Sequence, residues 1–254
     1  MSLIHKSIST NHILVARDFF MKANYYKWLF WAYIPCLLSA CESNVKNAAH
    51  GLTTAERKLF DSLQIDTGIV KDIKKLNHSK IEDFHYSLGR LYDDGKETEV
   101  DPIHLKGLVF DEQGPKSYKL VFDLKDSFRR QGYSIFLLET NFNIGKKPDR
   151  IAVLKTTDKY AILKQIGTDG INYNITNDCL ITIIHKFDKR YSLELIAASG
   201  DWCEFVIHNE PKDWLAFAKD VYAVCPDVVD QGAESVEAMA GEMQKTKRLY
   251  LWWD

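Results

Sequence analysis

The sequence predicts an α+β protein, with a mixed or antiparallel β-sheet and helices packed mainly on one face. Amphipathic helical segments alternate with short apolar strand-type segments along the carboxyl-terminal half. Gly200-Asp201 is a two-residue hairpin signal between two such strands and indicates antiparallel neighbours. From Arg150 onward the order is strand, helices, strand, strand, helices, strand. That is the split βαβ order of ferredoxin-like domains.

Composition narrows the class of protein. A chain of 254 residues suits one large or two small domains. Its 46% hydrophobic and 27% charged content is typical of a globular protein. The net charge of −2 argues against a general nucleic-acid binder, because no basic excess exists to neutralise phosphates. The sequence contains no run of about 20 apolar residues, so it predicts no conventional membrane span.

The first 40 residues have the pattern of an export signal. Met21 looks like the true start, so residues 1–20 would be an upstream extension. Two lysines follow it, and residues 28–40 then form an apolar run of the length found in signal-peptide cores. The run ends in the letters LSAC at residues 38–41, which match the cleavage box of bacterial lipoproteins. This pattern predicts cleavage before Cys41 and attachment of a lipid to it.

The lipid on Cys41 would anchor the mature protein to a membrane. Glu42 is not the aspartate that usually retains lipoproteins at the inner membrane. In a Gram-negative source, the resemblance to lipoproteins therefore implies the outer membrane, facing the periplasm. Two alternatives stay open: a buried amino-terminal helix that ends in cysteine, and a cytoplasmic protein if the start at Met1 is real.

Residues 41–104 are expected to be a tether followed by helices and loops. Thr53 and Glu56 have the spacing of a capping box, which predicts the start of a helix. Residues 69–90 are weakly periodic and predict a broken helix. Residues 92–101 are polar and acidic, and they predict a solvated loop because their spacing does not match a Ca²⁺-binding loop.

Residues 105–254 are predicted to form the α+β domain. Apolar periodicity and helix-ending Gly and Pro residues place its elements. The predicted strands are residues 105–110, 133–139, 150–155, 191–199, 202–208 and 249–253. The predicted helices are residues 117–131, 157–166, 177–191 and 211–225, with a short one around 236–243. The last strand is nearly all apolar and is expected at the centre of the sheet.

Two carboxyl-terminal motifs carry a family resemblance. They are WLAFAKDVYAVCPDVVDQG at residues 214–232 and LYLWWD at residues 249–254, supported by residues 141–155 and 167–175. This combination resembles the bacterial family called domain of unknown function 4253, over roughly residues 132–254. The resemblance implies a family and no particular activity.

Polar and aromatic residues in the same motifs are the candidates for a binding site. They are Trp214, Asp227, Asp230, Gln231, Trp252, Trp253 and Asp254. If they are functional, the carboxylates would surround a pocket floored by Trp252 and Trp253, which could bind a cationic ligand or a basic side chain of a partner. If they are structural, Asp227 caps the turn after Pro226, Asp230 and Gln231 bond loop backbone, and Arg150 or Lys147 holds Asp254. Both interpretations stay open.

The standard catalytic constellations are missing from the sequence. It contains no Gly-rich phosphate loop, no G-x-S-x-G and no H-E-x-x-H. The histidines beyond residue 41 are scattered singly, so the sequence predicts no metal site and no cofactor. Cys179, Cys203 and Cys225 allow at most one disulfide between them, or buried free thiols. Cys225 follows a helix carboxyl end, which does not activate a thiol.

Three functions remain after these exclusions. The first is a lipid-anchored, non-catalytic module that binds a protein partner, for instance an immunity protein that neutralises a toxin. The second is a lipoprotein that binds a small ligand. The third is an enzyme of unrecognised type that uses Asp227, Asp230 and Asp254. The expected partners are the membrane, through Cys41, and a protein, but not nucleic acid.

Overall fold

The computed structural model describes residues 53–93, 96–141 and 147–254, and it leaves out the side chains of residues 88–101. Within these residues, seven strands form one sheet in the order β1-β2-β4-β3-β5-β6-β7. The strands are β1 (Ile81–Asp93), β2 (Lys96–Glu112), β3 (Ser134–Glu139), β4 (Asp149–Leu154), β5 (Leu193–Ala198), β6 (Trp202–Ile207) and β7 (Arg248–Trp252). The helices are α1 (Thr54–Leu63), α2 (Thr67–Leu76), α3 (Gly114–Arg130), α4 (Lys159–Ile166), α5 (Asn177–Tyr191), α6 (Trp214–Tyr222) and α7 (Val236–Thr246). The predicted α+β class is confirmed.

The sheet is mixed, and its spatial order differs from the predicted one. Only β3 and β5 pair in parallel among the described strands, and every other neighbouring pair is antiparallel. In a split βαβ arrangement the last strand would lie beside β4. Instead β7 pairs with β6, and β3 lies between β4 and β5. The ferredoxin-like order is therefore present along the chain but not in the sheet.

The long hairpin of β1 and β2 was missed by the sequence analysis. The predicted helix over residues 69–90 is wrong beyond Leu76, and the predicted loop at 92–101 is mostly strand. The predicted boundary at residues 104/105 falls inside β2, so the hairpin belongs to the same sheet as the rest of the chain. Much of its sequence is polar, but Phe84, Tyr86 and Leu88 alternate with polar residues, as do Ile103 and Leu105, so a strand signal was present and was missed.

Tyr86 ties this hairpin to the far side of the sheet. Its hydroxyl lies 2.8 Å from the Ser199 hydroxyl and accepts the Gly200 backbone N–H, also at 2.8 Å. Both partners belong to the turn between β5 and β6. Ser199 N donates to Trp202 O across this turn at 2.8 Å, so the hairpin predicted there is confirmed. The turn lies next to the carboxyl end of β7, because Trp253 N donates to Asp201 O.

Both faces of the sheet are covered at β6, rather than mainly one. Glu204 points toward α3, where the Tyr118 hydroxyl donates to its carboxylate at 2.7 Å. Its neighbours Cys203 and Phe205 point to the opposite face, because side chains alternate along a strand, and both are fully buried. No helix of the described residues is long and apolar enough to cross a membrane.

Candidate functional site

The loop of residues 225–227, Cys-Pro-Asp, closes the outer edge of β7. This strand is the last in the sheet, so the prediction of a central position was wrong, and the backbone groups on its outer side have no neighbouring strand. The Cys225 thiol donates to Trp252 O at 3.0 Å and accepts the N–H of Trp252 at 3.3 Å. Burial raises the pKa of Cys225 to about 12, so the thiol keeps the proton that it donates. The sulfur thus forms the hydrogen bonds to the Trp252 N–H and C=O that a neighbouring strand would otherwise form.

Asp227 extends this closure beyond the end of β7. Its buried carboxylate accepts the Asp254 backbone N–H at 2.9 Å through one oxygen and the Tyr173 hydroxyl through the other. The Asn172 side chain then donates to Asp254 O at 2.7 Å. The hydrogen bond to Asp227 also raises the pKa of Tyr173, to about 12. Both oxygens of Asp227 therefore have structural partners.

Asp254 is not held by the basic segment proposed from the sequence. Its described contacts are with Asp227 and Asn172. Arg150 contacts Asp111 instead, with Nε 3.3 Å from the carboxylate. The strand carrying Arg150 pairs with β2 and β3, whereas Asp254 lies beyond the opposite edge strand. The suggested Arg150–Asp254 pair is therefore wrong.

The two adjacent tryptophans are core residues. Trp252 and Trp253 are only 4% and 3% exposed. The Trp253 indole N–H donates to Val224 O at 3.0 Å, which satisfies the one polar atom of this ring. The ring lies so close to Gly170 that a Cβ there would approach it to 2.8 Å. These positions favour the structural interpretation over an open aromatic floor.

Trp214 lies apart from this cluster. It is the first residue of α6, is 9% exposed, and has Lys247 Nζ 5.0 Å from its ring centroid. Lys247 immediately precedes β7, whereas Asp254 follows the strand's other end. The structure therefore brings together Asp227, Trp252, Trp253 and Asp254, and it places Trp214 at the opposite end of β7.

The exposed part of the region is a tyrosine patch, which we define as Ile171, Tyr173, Tyr222 and Asp230. The three apolar or aromatic residues are 53%, 40% and 36% exposed, in that order. The Tyr222 hydroxyl donates to the exposed Asp230 carboxylate at 3.1 Å. The charge of Asp230 also contributes to the raised pKa of Tyr173.

Among the predicted site residues, Asp230 belongs to this patch and is exposed. Gln231 is half-buried next to it. The other three residues of the patch, Ile171, Tyr173 and Tyr222, were not among the site residues predicted from the sequence. A signal for the first two was available, since GTDGINYNI was already one of the segments that carried the family resemblance. The Gly- and Asn-rich segment around them forms only a short 3-10 turn at Ile171–Tyr173, which buries none of its residues.

Two further polar clusters lie between α3 and the sheet. Buried Glu194 contacts Lys125 Nζ at 3.0 Å, His208 Nε2 at 2.9 Å, and Arg129. Burial lowers the pKa of His208, and the charges of Lys125 and Arg129 lower it further. Glu194 is buried and faces the cationic side chains of Lys125 and Arg129. We interpret this cluster, and the second one described next, as compensation of the negative charge of a buried carboxylate.

Glu204 is the carboxylate of the second cluster. Arg248 lies 2.9 Å from it, and Tyr118 donates a hydrogen bond to it. Burial raises the pKa of Glu204, although the Arg248 charge opposes this effect. Neither cluster includes a residue of the predicted site, and no local sequence pattern indicates that these distant residues meet.

Metal and thiol chemistry can be checked over the part of the chain that the structure describes. There, no group of three or more His, Cys, Asp or Glu side chains is arranged to hold a metal ion. Cys179, Cys203 and Cys225 are all free, the first exposed and the other two buried. Among the alternatives left open for these cysteines, free thiols are therefore observed. Burial raises the pKa of both Cys203 and Cys225, which keeps these thiols unreactive.

Fold and site together define an α+β protein with one open mixed sheet, whose last strand is closed by a Cys-Pro-Asp loop. Residues 150–254 match the model of a family described as Domain of unknown function (DUF4253). This match confirms the family resemblance found in the sequence. It begins in β4, later than the expected residue 132, and includes the whole Cys-Pro-Asp loop and the tyrosine patch. No match was found among curated proteins or among solved structures.

Proposed function

We propose that this protein is a non-catalytic interaction module held at the bacterial envelope by a lipid on Cys41, and that the tyrosine patch binds its protein partner. The observation that carries the proposal is that the potentially reactive residues of the carboxyl-terminal region are buried, whereas the exposed residues beside them are aromatic and apolar. Cys225 and Asp227, which could do chemistry, are buried and hydrogen-bonded to backbone. The exposed residues beside them are aromatic and apolar, and Tyr is enriched at protein interfaces.

The charge of the patch indicates the chemistry of the partner. Asp230 is an exposed carboxylate that accepts the Tyr222 hydroxyl, and its charge also raises the pKa of Tyr173. Asp254, half-buried, adds a second carboxylate nearby through its link to Asp227. A guanidinium or ammonium group can form an ion pair with such a carboxylate and stack on a tyrosine ring at the same time. The partner is therefore a protein that presents an Arg or Lys side chain, and a toxin neutralised by an immunity protein is one such partner.

The anchor in this proposal rests on the amino-terminal sequence. Cys41 and the LSAC box lie outside the described residues. The described fold begins with the capping box of Thr53 and Glu56, whose two reciprocal backbone bonds are 2.9 and 3.1 Å long. Residues 42–52 would then form the tether between the membrane and α1. An outer-membrane location facing the periplasm is part of this proposal.

A pull-down from the native cell envelope tests the proposed function. The affinity tag is inserted at the β1–β2 turn, so that Cys41 and the tyrosine patch stay free. Two variants alter the patch, Tyr222→Ala and Asp230→Asn. The matched control is Phe122→Ala, which removes a similarly exposed aromatic side chain, 39% against 36%, from α3.

We expect one stoichiometric partner with the parent protein and the Phe122→Ala control, and at least tenfold less of it with either patch variant. Equal recovery by all four proteins would place the interface elsewhere and contradict the role of the patch. If the parent protein retains no partner, the interaction proposal fails. A thermal-shift screen of small ligands, which stabilise the folded state that they bind, would then be the next experiment.

A further inference from the structure

Two histidines that are far apart in the sequence meet on the β1–β2 hairpin. His85 and His104 are directly opposite each other in the antiparallel register. Their ring centroids are 4.7 Å apart, and the ring planes are inclined by 46°. The two Nδ1 atoms are 3.5 Å apart. His85 is half-buried and His104 is exposed, so the pair is open to solvent on one side.

The distance between the two nitrogens can be compared with two arrangements of the pair, a direct hydrogen bond between the rings and a shared metal ion. Hydrogen bonds from N–H donors are usually about 2.9–3.0 Å long, so 3.5 Å is at the limit for a direct bond between the rings. A zinc–imidazole bond is about 2.0–2.1 Å long. Two nitrogens 3.5 Å apart can therefore share one Zn²⁺ with an N–Zn–N angle of roughly 115–120°, close to tetrahedral. A separation of 3.5 Å is therefore compatible with a shared metal ion as well as with a long hydrogen bond between the rings.

We propose that His85 and His104 form a two-histidine binding site for a divalent transition metal ion such as Zn²⁺. Imidazole nitrogens suit Zn²⁺, Cu²⁺ and Ni²⁺, whereas Mg²⁺ and Ca²⁺ prefer oxygen ligands. Each histidine is held by a strand of the sheet, so the metal ion orders only the two rings. His104 is exposed, so a metal ion can reach the pair from solvent.

The proposed site differs from a structural zinc site. Structural sites have four protein ligands, whereas this one leaves two coordination positions for water or for a donor atom of another molecule. Binding is expected to be reversible and not required for folding. The site is independent of the tyrosine patch, so either proposal can fail without the other.

The inference is tested by titrating the full chain with Zn²⁺ in a chelator-free buffer and measuring the heat of binding by isothermal titration calorimetry. The variants are His85→Asn and His104→Asn, each of which removes one imidazole and keeps a polar side chain. The matched control is His185→Asn, which removes an exposed histidine of α5 that stacks on Tyr160 of α4. Circular dichroism of the metal-free proteins checks their folding, and His104→Asn alone carries the test if His85→Asn unfolds.

We expect one Zn²⁺ to bind to the parent protein and to the His185→Asn control with the same affinity. Each hairpin variant should bind this ion at least tenfold more weakly, since losing a ligand costs at least as much as the 10–100-fold loss seen on mutating outer-shell partners. Cu²⁺ provides a second measurement, because its electron paramagnetic resonance spectrum should show two coordinated nitrogens in the parent and one in His104→Asn. Identical titrations of parent and hairpin variants, or the lack of a saturable one-to-one site, would overturn the proposal.

Discussion

The thiol of Cys225 stands beside Trp252 where the backbone of a neighbouring strand would otherwise lie. Its sulfur is 3.0 Å from Trp252 O and 3.3 Å from Trp252 N, and it pairs with both groups. Both are buried with Trp252, so they depend on this side chain for their hydrogen bonds. The cysteine in the family motif thus has a structural explanation that requires no reactivity.

Replacing Cys225 by alanine should therefore destabilise the fold. We expect Cys225→Ala to lower the free energy of unfolding by about 1–3 kcal/mol, because a buried N–H and C=O lose their partner. Cys203→Ala is the matched control, since Cys203 is equally buried on the adjacent strand β6. It should lose only about 1 kcal/mol of packing. Urea unfolding measures both, and equal losses would show that the hydrogen bonds of Cys225 contribute nothing.

The sequence predicted the carboxyl-terminal elements well and the hairpin poorly, for a physical reason. Strands β3 to β7 are buried, so their apolar residues are dense enough to be recognised without knowing their neighbours. The hairpin strands are rich in polar residues, for instance KETEVD at 96–101, and such a composition also fits a loop. The order of strands in the sheet depends on pairing partners, which local patterns do not encode.

The candidate site was also predicted only in part, because burial and long-range contacts depend on the tertiary fold. The sequence indicated that Asp227, Trp252, Trp253 and Asp254 belong together, and the structure brings them together. The apolar strand predicted at residues 249–253 already placed Trp252 and Trp253 inside the fold, but the burial of Asp227 could not be predicted, because aspartate is mostly exposed in proteins. The contact of Tyr173 with Asp227 links residues 54 positions apart, so it depends on the tertiary fold.

Two glycines should respond in opposite directions to alanine. At Gly170 a Cβ would come within 2.8 Å of the buried Trp253 ring, which cannot move without disturbing the core. We expect Gly170→Ala to cost about 1–3 kcal/mol of stability through overpacking. At Gly241, inside α7, nothing lies within 4 Å of a new Cβ. Gly241→Ala should stabilise by up to about 1 kcal/mol, because alanine favours the helix more than glycine does.

Thermal or urea unfolding of these two variants provides the measurement. Both variants replace glycine by alanine, so the difference between their changes in unfolding free energy reports mainly on the space around each glycine. A neutral or stabilised Gly170→Ala would mean that Trp253 does not pack on residue 170, and the core position of this tryptophan would then rest on its burial and its bond to Val224 alone.

The lipid anchor can be tested at a single atom. Cys41→Ser removes the sulfur that would carry the lipid, so we expect the protein to move from the detergent phase to the aqueous phase in a phase-partition experiment. Intact mass should show a parent chain that begins at Cys41 and carries acyl groups. Cys179→Ser is the control, since it removes an exposed cysteine of the folded domain and should leave lipidation unchanged. Unchanged partition of Cys41→Ser would contradict the anchor.

The hydrogen bond between Tyr173 and Asp227 should make stability depend on pH in the alkaline range. In the folded protein Asp227 raises the pKa of Tyr173 from its ordinary value of 10.0 to about 12, because an anionic tyrosine could not donate to a carboxylate. The folded state therefore holds this proton more tightly than the unfolded state. The resulting stability is fully present below pH 10, and it is lost as the pH rises from 10 to 12. Tyr173 is 40% exposed, so solvent screening limits the size of the effect.

Tyr173→Phe removes the hydroxyl and keeps the ring. At pH 9 we expect this variant to be less stable than the parent by about 0.5–1.5 kcal/mol, the net contribution of one hydrogen bond. Urea unfolding at pH 9 and again at pH 11.5 should show that the gap between the two proteins shrinks. The other tyrosines titrate in both proteins and cancel in the difference. A gap of the same size at both pH values would mean that the Tyr173 proton is not coupled to Asp227 in solution.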